Sequence, residues 1–562
     1  MKKALLLVIS SLCLVNFNAL SQSMPVGIPV LEDYYRRQQL LGQLDSNISF
    51  TIRPLSSKLG GKDGFFPDTA GEHKLLNIKG KWESPGREEI TSILPLIWRS
   101  QYNSHHPYGW NDGGMIPSAG YQMMLSGGVY AKYQWFSMQL NPELVIASNK
   151  DFEGFPTEHH QNIWSKYYDH YYNRIDKPEK FGSGTYKKIL PGQSSARITF
   201  DPISFGISTE NLWWGPGNRN SLLMSNTAPG FFHFTLNTSK PIKTPIGLIE
   251  GQIVSGKLEN SGYLPPEINR VFSGIPLYVK KKNEDRYFSG MVLSYQPKWV
   301  PHLFLGFSNS LQMYTSDRKR VGDYLPVLQP FIKFRAETED DRKRAQLRSL
   351  FARWVWPEAK SEMYFEYGRT NNSDNQESFG EGTGHSRAFI VGLKKLLPLH
   401  NLRKDYIQVA LEITQLQNGP DHISRPGESW YTNSLVGHGY TNMGEVLGAG
   451  IGPGGNLQSL DISFYRGLKR IGLQFERQTQ NNDFYYYAFE DIQDWRSHWV
   501  DLSGAVNAEW NYSNLLLNAK FVMIRSLNYQ WWLRQYDENQ YFVPGRDVLN
   551  FQAQLGITYR FR

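Results

Sequence analysis

The chain has 562 residues, 14% of them aromatic, 50 glycines and a formal charge of +8. Its one cysteine, Cys13, lies in the leader described next, which excludes disulfides, thiolate metal sites and cysteine nucleophiles from the exported chain. Charges of both signs alternate along the sequence with no block long enough for a nucleic-acid tail, and no apolar run beyond the leader approaches the length of a transmembrane helix.

Residues 1–21 read as a signal peptide. Lys2 and Lys3 form a basic start, Ala4 to Val15 an apolar run, and Ala19-Leu20-Ser21 a small-x-small cleavage signal. A lipoprotein anchor at Cys13 is the alternative, but bulky Leu12 stands where a lipobox needs a small residue. Cleavage leaves Gln22 first and, with Lys2 and Lys3 removed, a charge of +6. That modest excess suits an acidic partner such as a polysaccharide or lipopolysaccharide.

Residues 22–89 are expected to form a periplasmic helical and irregular segment beneath the body of the protein. Residues 30–44 carry Leu31, Tyr34, Tyr35, Leu41 and Leu44 on a 3.6-residue face that Gln38 interrupts, which predicts a short amphipathic helix. Residues 45–89 are polar and irregular.

From residue 90 the pattern changes to period two. Segments near 300–313, 404–417 and 514–526 put Leu303, Leu305 and Phe307, then Ile407, Val409, Leu411 and Ile413, then Leu515, Leu517, Phe521 and Met523 on single faces. The last segment is the strongest. Leu549, Phe551, Ala553, Leu555, Ile557, Tyr559 and Phe561 alternate strictly with Asn550, Gln552, Gln554, Gly556, Thr558, Arg560 and Arg562. Strands of soluble proteins run five or six residues, whereas a tilted membrane strand needs about 9–11. Aromatic-rich strands that are apolar on one face only, in a chain of mean hydropathy −0.48, fit a transmembrane β-barrel with aromatic girdles.

Short turns are expected near 132–134, 201–202, 240–244, 297–301, 357–360, 400–404, 466–469 and 511–514. They alternate with long polar loops at 103–118, 149–194, 212–228, 259–285, 314–349, 370–384, 418–455, 480–497 and 527–547. A helix-like charged stretch, 340–351, falls in one of these loops. Eight turns and nine loops give 18 strands with both ends periplasmic, as outer-membrane barrels require; 16 strands is the other parse. The fold class is therefore all-β, a transmembrane antiparallel barrel over 90–562, and a soluble propeller or sandwich is the competing expectation.

Several stretches resemble the Wzi-type capsule assembly proteins. They are Ile207-Ser208-Thr209-Glu210-Asn211-Leu212-Trp213-Trp214-Gly215-Pro216-Gly217 with Leu223-Met224-Ser225-Asn226, Pro191-Gly192-Gln193-Ser194-Ser195, Glu362 to Gly368, and Trp430-Tyr431-Thr432-Asn433 with Gly439-Tyr440-Thr441-Asn442 and Gly448 to Gly452. The opening Pro29-Val30-Leu31 is similar as well. The resemblance spans nearly the whole mature chain. It implies an 18-stranded outer-membrane barrel obstructed at its lower end, which holds capsular polysaccharide or exopolysaccharide as a lectin and is not an enzyme. Its other partners would be outer-membrane lipid, lipopolysaccharide and the barrel insertion machinery, with no cofactor, no nucleic acid and a monomeric state. Arg562 departs from the terminal aromatic that insertion machinery usually meets, Phe561 being penultimate.

Sugars are bound by flat aromatic faces with polar edges and by planar amide, carboxylate and guanidinium groups. Asn211, Trp213, Trp214 and Arg219 on one expected outer loop, and Tyr431, His438 and Tyr440 on another, are the candidate polysaccharide contacts. The competing role for the tryptophans is packing or a membrane girdle, and Gly215-Pro216-Gly217 reads as a fixed turn. Rival functions are a porin or saccharide channel and a surface lipid hydrolase. Gly192-Gln193-Ser194-Ser195-Ala196 misses G-x-S-x-G by one residue and precedes a strand, not a helix. The pairs His105-His106 and His159-His160 lack metal-site spacing, Gly448-x-Gly450-x-Gly452 lacks the helix and distal acid of a nucleotide fingerprint, and Glu377 and Glu381 are two loop carboxylates.

Overall fold

The computed structural model describes residues 23–561 apart from 46, 57, 60–61, 68–78, 85–88, 320, 325–343, 371–386, 401–404, 419–427, 490–497 and 533–546. The leader and its cleavage signal lie outside the described residues, as do Glu377 and Glu381.

One antiparallel sheet carries the fold. Its first six strands are β1 (Glu89–Ile93 and Leu96–Asn103), β2 (Gly120–Ser126 and Val129–Tyr133), β3 (Phe136–Leu140 and Glu143–Ala147), β4 (Tyr186–Leu190 and Ser195–Phe200), β5 (Ile203–Ser208) and β6 (His233–Thr238 and Ile242–Thr244). Twelve mostly longer strands follow: β7 (Gly247–Leu258), β8 (Arg286–Pro297), β9 (Leu303–Tyr314), β10 (Ala345–Trp356), β11 (Ser361–Thr370), β12 (Arg387–Pro398), β13 (Tyr406–Gln415), β14 (Asn456–Arg466), β15 (Lys469–Thr479), β16 (Val500–Tyr512), β17 (Leu515–Leu527) and β18 (Val548–Tyr559). Counting each interrupted pair once gives 18 wall strands among the described residues, as the turn-and-loop alternation predicts. The last strand pairs with the first, from Tyr559↔Leu96 to Gln552↔Asn103. A short strand, Lys81–Ser84, pairs with the lower half of β1, so part of the stretch expected to be irregular extends the sheet.

The alternation of the final segment becomes two chemical faces. Leu549, Leu555 and Ile557 are 44%, 52% and 40% exposed, while Asn550 and Gln552 are 0% and 1%. The outward side is thus apolar and the inward side polar, the arrangement a bilayer selects. Trp135, Phe200, Trp299, Trp354 and Trp510 stand exposed near the short turns, and Trp135 stacks on Phe200 at 6.2 Å; amphipathic rings favour this interfacial level. No helix among the described residues is long and apolar enough to cross a membrane.

Of the charged stretch 340–351, residues 340–343 lie outside the described residues and the rest is not helical: from Ala345 it is β10, with Ser349, Phe351 and Arg353 turned inward and Leu350 and Trp354 outward. Its arginines suggested a solvated helix face, but period-two burial decides, because a polar lumen takes charge as readily as water does. The loop 149–194 also ends early, at Tyr186. The interruption after Leu190 falls in one row with those at Leu94-Pro95, Gly127-Gly128 and Asn141-Pro142, joined by Leu94 N–H to Gly128 O at 2.9 Å and Gln193 N–H to Asn141 O at 3.0 Å. A β-carbon on Gly128 would lie 1.8 Å from Leu140 O, so only glycine fits this crease in the wall.

The N-terminal segment lies inside the wall rather than only beneath it. Helix α1 (Pro29–Leu40) starts on a proline at its first turn and stops near Gly42, whose φ is +68°. It ends four residues short of the 3.6-residue pattern. Its charges face the wall: Arg36 Nε meets Glu362 at 2.7 Å, Lys394 meets Asp33 at 2.9 Å, and Arg353 donates to Gln39 at 2.7 Å and to Ser49 O at 2.9 Å. Burial raises the Asp33 carboxyl, but Lys394, Arg37 and Arg470 outweigh it and hold the group well below the usual carboxylate range. Leu31, Tyr35, Phe50, Leu55 and Phe65 form an apolar cluster with Ile97, Leu468 and Leu516 of the wall. A plug built from this segment therefore fills the short-turn end.

Candidate functional site

The loop after β5 was expected outside the barrel. Instead it turns into the lumen, where it forms an arch over residues 209–232. Trp213 and Trp214 pair with Arg53 and Ile52 of the plug as a two-residue ladder. The Gln193 amide donates to Asn211 Oδ1 at 2.8 Å and accepts from Asn211 N–H at 3.0 Å. The two sequence stretches around Gln193 and Asn211 thus form one clasp at the wall's crease. Asn211 also donates to Asn226 at 2.7 Å and to Ala228 O at 3.0 Å. Gly215, at φ +129°, passes so close to the wall that a β-carbon would sit 2.7 Å from Glu366. The expected fixed turn is therefore required by an approach of backbone to carboxylate.

Glu412 of β13 anchors the arch. The N–H groups of Asn218, Arg219 and Asn220 donate to its carboxylate at 2.8, 3.0 and 2.8 Å, and Tyr364 OH donates at 2.7 Å. Three successive amides aimed at one point make an anion cradle, and here a wall side chain occupies it. Arg219 continues outward to a two-pronged pair with Glu476 at 2.7 and 2.8 Å, its guanidinium 4.2 Å from the Trp110 ring.

The second candidate loop, 429–455, packs on the arch. Tyr431 stacks on Tyr440 at 5.8 Å and 13°. Tyr431 OH donates to Leu222 O at 2.8 Å and accepts from Ala449 N–H at 2.7 Å; Tyr440 OH donates to Ser310 at 3.0 Å. His438 Nδ1 lies 3.0 Å from Tyr314 OH. Burial, with Arg286 and Lys281 nearby, pushes that imidazole down to about 3, so the ring is neutral. Leu212, Trp214, Leu222, Trp430, Tyr431 and Tyr440 join Val254, Phe288, Phe351 and Ile390 of the wall in one apolar core. The structure therefore brings the seven candidates together, but not on a surface. Asn211, Trp213, Trp214, Tyr431, His438 and Tyr440 are at most 4% exposed, and the Arg219 side chain is 20% exposed, toward the lumen. Trp and Tyr suit a dry core as well as a sugar, and the sequence pattern is the same for both.

The long-loop end is roofed by residues the sequence survey passed over. Helix α2 (Gln161–Tyr167), which continues as a π-turn through Tyr172, and helix α3 (Asn482–Ala488) come from the loops after β3 and β15. Phe155, Tyr167 and Tyr171 form a stack at 3.9 and 5.5 Å, with Tyr171 outermost and half-buried. Phe484 lies against Tyr167 and Trp531 at 4.8 and 5.0 Å. Tyr487 is half-buried, stacks on His170 at 5.2 Å and donates to Asp169 at 3.0 Å. The available signal was aromatic clustering in YYDHYY (167–172) and DFYYYAF (483–489).

Between plug, arch and the wall of β13 to β18 and β1 lies a cavity of about 380 Å³. Trp110, Arg219, Lys394 and Arg470 are among its lining. Ser194, the one candidate nucleophile, donates to Pro191 O at 2.6 Å and accepts from Asn141 N–H at 2.9 Å, fixing a bend.

The family model of the capsule assembly protein Wzi matches residues 111–515. The chain belongs to that family. Arch, roof and both candidate loops lie within the matched residues, and the plug precedes them. No curated protein sequence matches this Wzi-family chain. Among solved structures, Wzi of Escherichia coli, an outer-membrane protein involved in group 1 capsule assembly and a carbohydrate-binding β-barrel, aligns at a TM-score of 0.58 with 11% identity, over 96% of this chain and 100% of that one. The two share a fold. OccAB2 of Acinetobacter baumannii aligns at 0.40 with 10% identity, over 84% of this chain and 98% of that one.

A structural role for Trp214 is testable. It is fully buried, donates to Gln252 at 2.8 Å and sits against Gly290, whose β-carbon would meet the ring at 2.7 Å. Trp214→Ala is expected to cost about 3–5 kcal/mol, as large-to-small core changes do, read as an earlier midpoint in urea unfolding of the detergent-solubilised barrel. An unchanged midpoint would show the arch to be dispensable.

Proposed function

We propose that this Wzi-family barrel holds capsular polysaccharide or exopolysaccharide at the outer face of the outer membrane, as a lectin that leaves the polymer chemically unchanged. The observation that carries it is the pairing of a filled lumen with an aromatic roof. Plug and arch occupy the interior, so the long-loop end presents a surface, and that surface carries half-buried tyrosines beside carboxylate, imidazole and ammonium groups. Sugar C–H faces stack on such rings while hydroxyls bond to their polar edges. A repeating polymer meets several such rings at once, so weak single contacts suffice, and one copy of the chain is enough to hold it.

Tyr171→Ala combined with Tyr487→Ala is expected to weaken binding of the strain's own polysaccharide to the purified protein about tenfold, since each stacked ring contributes roughly 0.5–1.5 kcal/mol. In cells, loss of the protein should release polymer into the medium with synthesis intact. A folded double variant that binds as well as the parent would move the contact away from the roof. A deletion strain that keeps all its polymer attached would remove the function itself.

A further inference from the structure

The lumen cavity has no part in the roof and carries its own chemistry. Arg99 of β1 and Lys520 of β17 line it from the two sides of β18. Gly556 of β18 stands opposite both Arg99 and Asn518 and brings no side chain of its own, so the Asn518 amide packs over it and the wall between the two cations carries no carboxylate. Among the described residues neither cation has a carboxylate within 4.0 Å or a hydrogen bond. The neighbouring cations are all engaged: Arg219 by Glu476, Lys394 by Asp33 and Arg470 by Glu509 at 3.1 Å. Asn507, 7% exposed, lines the same space and its Nδ2 has no acceptor. Asp112, on the inward loop after β1, faces this group; burial pushes its carboxyl up to about 6 against the pull of Arg99, Arg219 and Lys520.

Arg99 and Lys520 are half-buried and face the cavity without a partner, an arrangement that an anion entering the lumen completes. The volume is within the range of sites for small molecules, about 300–1,000 Å³. Trp110, with Arg219 already 4.2 Å from its ring, offers only the part of that ring that lines the cavity, and Asn507 offers an amide; both are groups that take a hydroxylated ring. We propose that this cavity binds one acidic saccharide unit, a sugar bearing a carboxylate or a phosphate, with Arg99 and Lys520 taking the anionic group and Trp110 and Asn507 the sugar ring. This site is separate from the roof, so either can fail alone.

The test titrates the full-length protein in detergent micelles with glucuronate, glucose 6-phosphate, glucose and inorganic phosphate, reading heat and tryptophan fluorescence. A saturable response to glucuronate or to glucose 6-phosphate, absent with glucose and at least tenfold weaker with inorganic phosphate, is expected, and the stronger of the two acids names the source of the charge. Arg99→Gln and Lys520→Gln should each weaken it at least tenfold without altering polysaccharide binding at Tyr171 and Tyr487. Lys520→Met keeps the result interpretable if a polar variant misfolds: it removes a half-buried, unpaired charge and keeps the chain length, so it should unfold no earlier than the parent and yet bind the acidic sugar at least tenfold less well. No response to either acidic sugar, an equal response to inorganic phosphate (an adventitious ion only), or full binding by a folded Lys520→Met overturns the proposal.

Discussion

Glu362→Ala is expected to free the N-terminal plug and to cost roughly 3–5 kcal/mol, the penalty for breaking a buried charge cluster from one side. Glu362 is 0% exposed and is the only carboxylate among the described residues that ties Arg36 of the plug to Arg353 of the wall. Arg353 Nε donates to it at 2.9 Å, and Lys394 Nζ stands 4.0 Å away. Removing the carboxylate leaves three cations facing one another without their shared acceptor, so the least costly response is for α1 to withdraw with Arg36. Limited proteolysis reads this directly. Cleavage within 29–67 should rise at least tenfold while the wall keeps its heat-dependent mobility on gels. Glu362→Gln should fall between, since it keeps one acceptor oxygen and loses the charge. A Glu362→Ala protein with an intact, protected plug would mean that the apolar cluster around Leu31 and Phe50 holds it alone.

What the sequence made legible follows from which contrasts the fold needs. Lipid against lumen is the sharpest contrast, and it is written at period two, so β13, β17 and β18 could be read from Leu411, Phe521 and Leu555. Turn against loop is written in length, and the 18-strand count came from that. Inside against outside is hardly written at all. Glu412 and Arg353 are polar residues on the lumen face, and such a face looks the same whether it meets water, a plug or an arch. For that reason the loop 212–228 was expected outside, although Asn211, Trp214 and Gly215 are each fixed by a specific wall partner. Charge misled in β10 for the same cause: Arg353 sits buried on the lumen face, where a soluble strand would not tolerate it. The roof went unread because Tyr167, Tyr171 and Tyr487 lie in loops without periodicity, where only their clustering distinguishes them.

Glu412→Ala should have the second large effect, and on permeability rather than on the plug. Barrels of 16–18 strands leave an aqueous channel unless something fills them, and the arch is one of the two fillings here. Its tip is held by one carboxylate that accepts from three consecutive backbone N–H groups and from Tyr364. Deleting that acceptor orphans the buried Asn220 N–H and Tyr364 OH at about 1–3 kcal/mol each, more than Trp214 and its ladder to Arg53 and Ile52 can restore locally. Residues 215–221 would leave the wall, and Arg219 would part from Glu476 of β15 and from Trp110. Planar-bilayer recordings of the intact protein should show little or no conductance, and Glu412→Ala should raise it at least about tenfold, to the scale of an open barrel. Glu412→Gln should conduct less than Glu412→Ala, because its remaining oxygen still accepts from Arg219 and Asn220. If Glu412→Ala stays closed, the plug alone seals the lumen and the arch serves only to support the roof; if the parent itself conducts steadily, a filled interior is no barrier and a saccharide channel becomes the better account of the barrel.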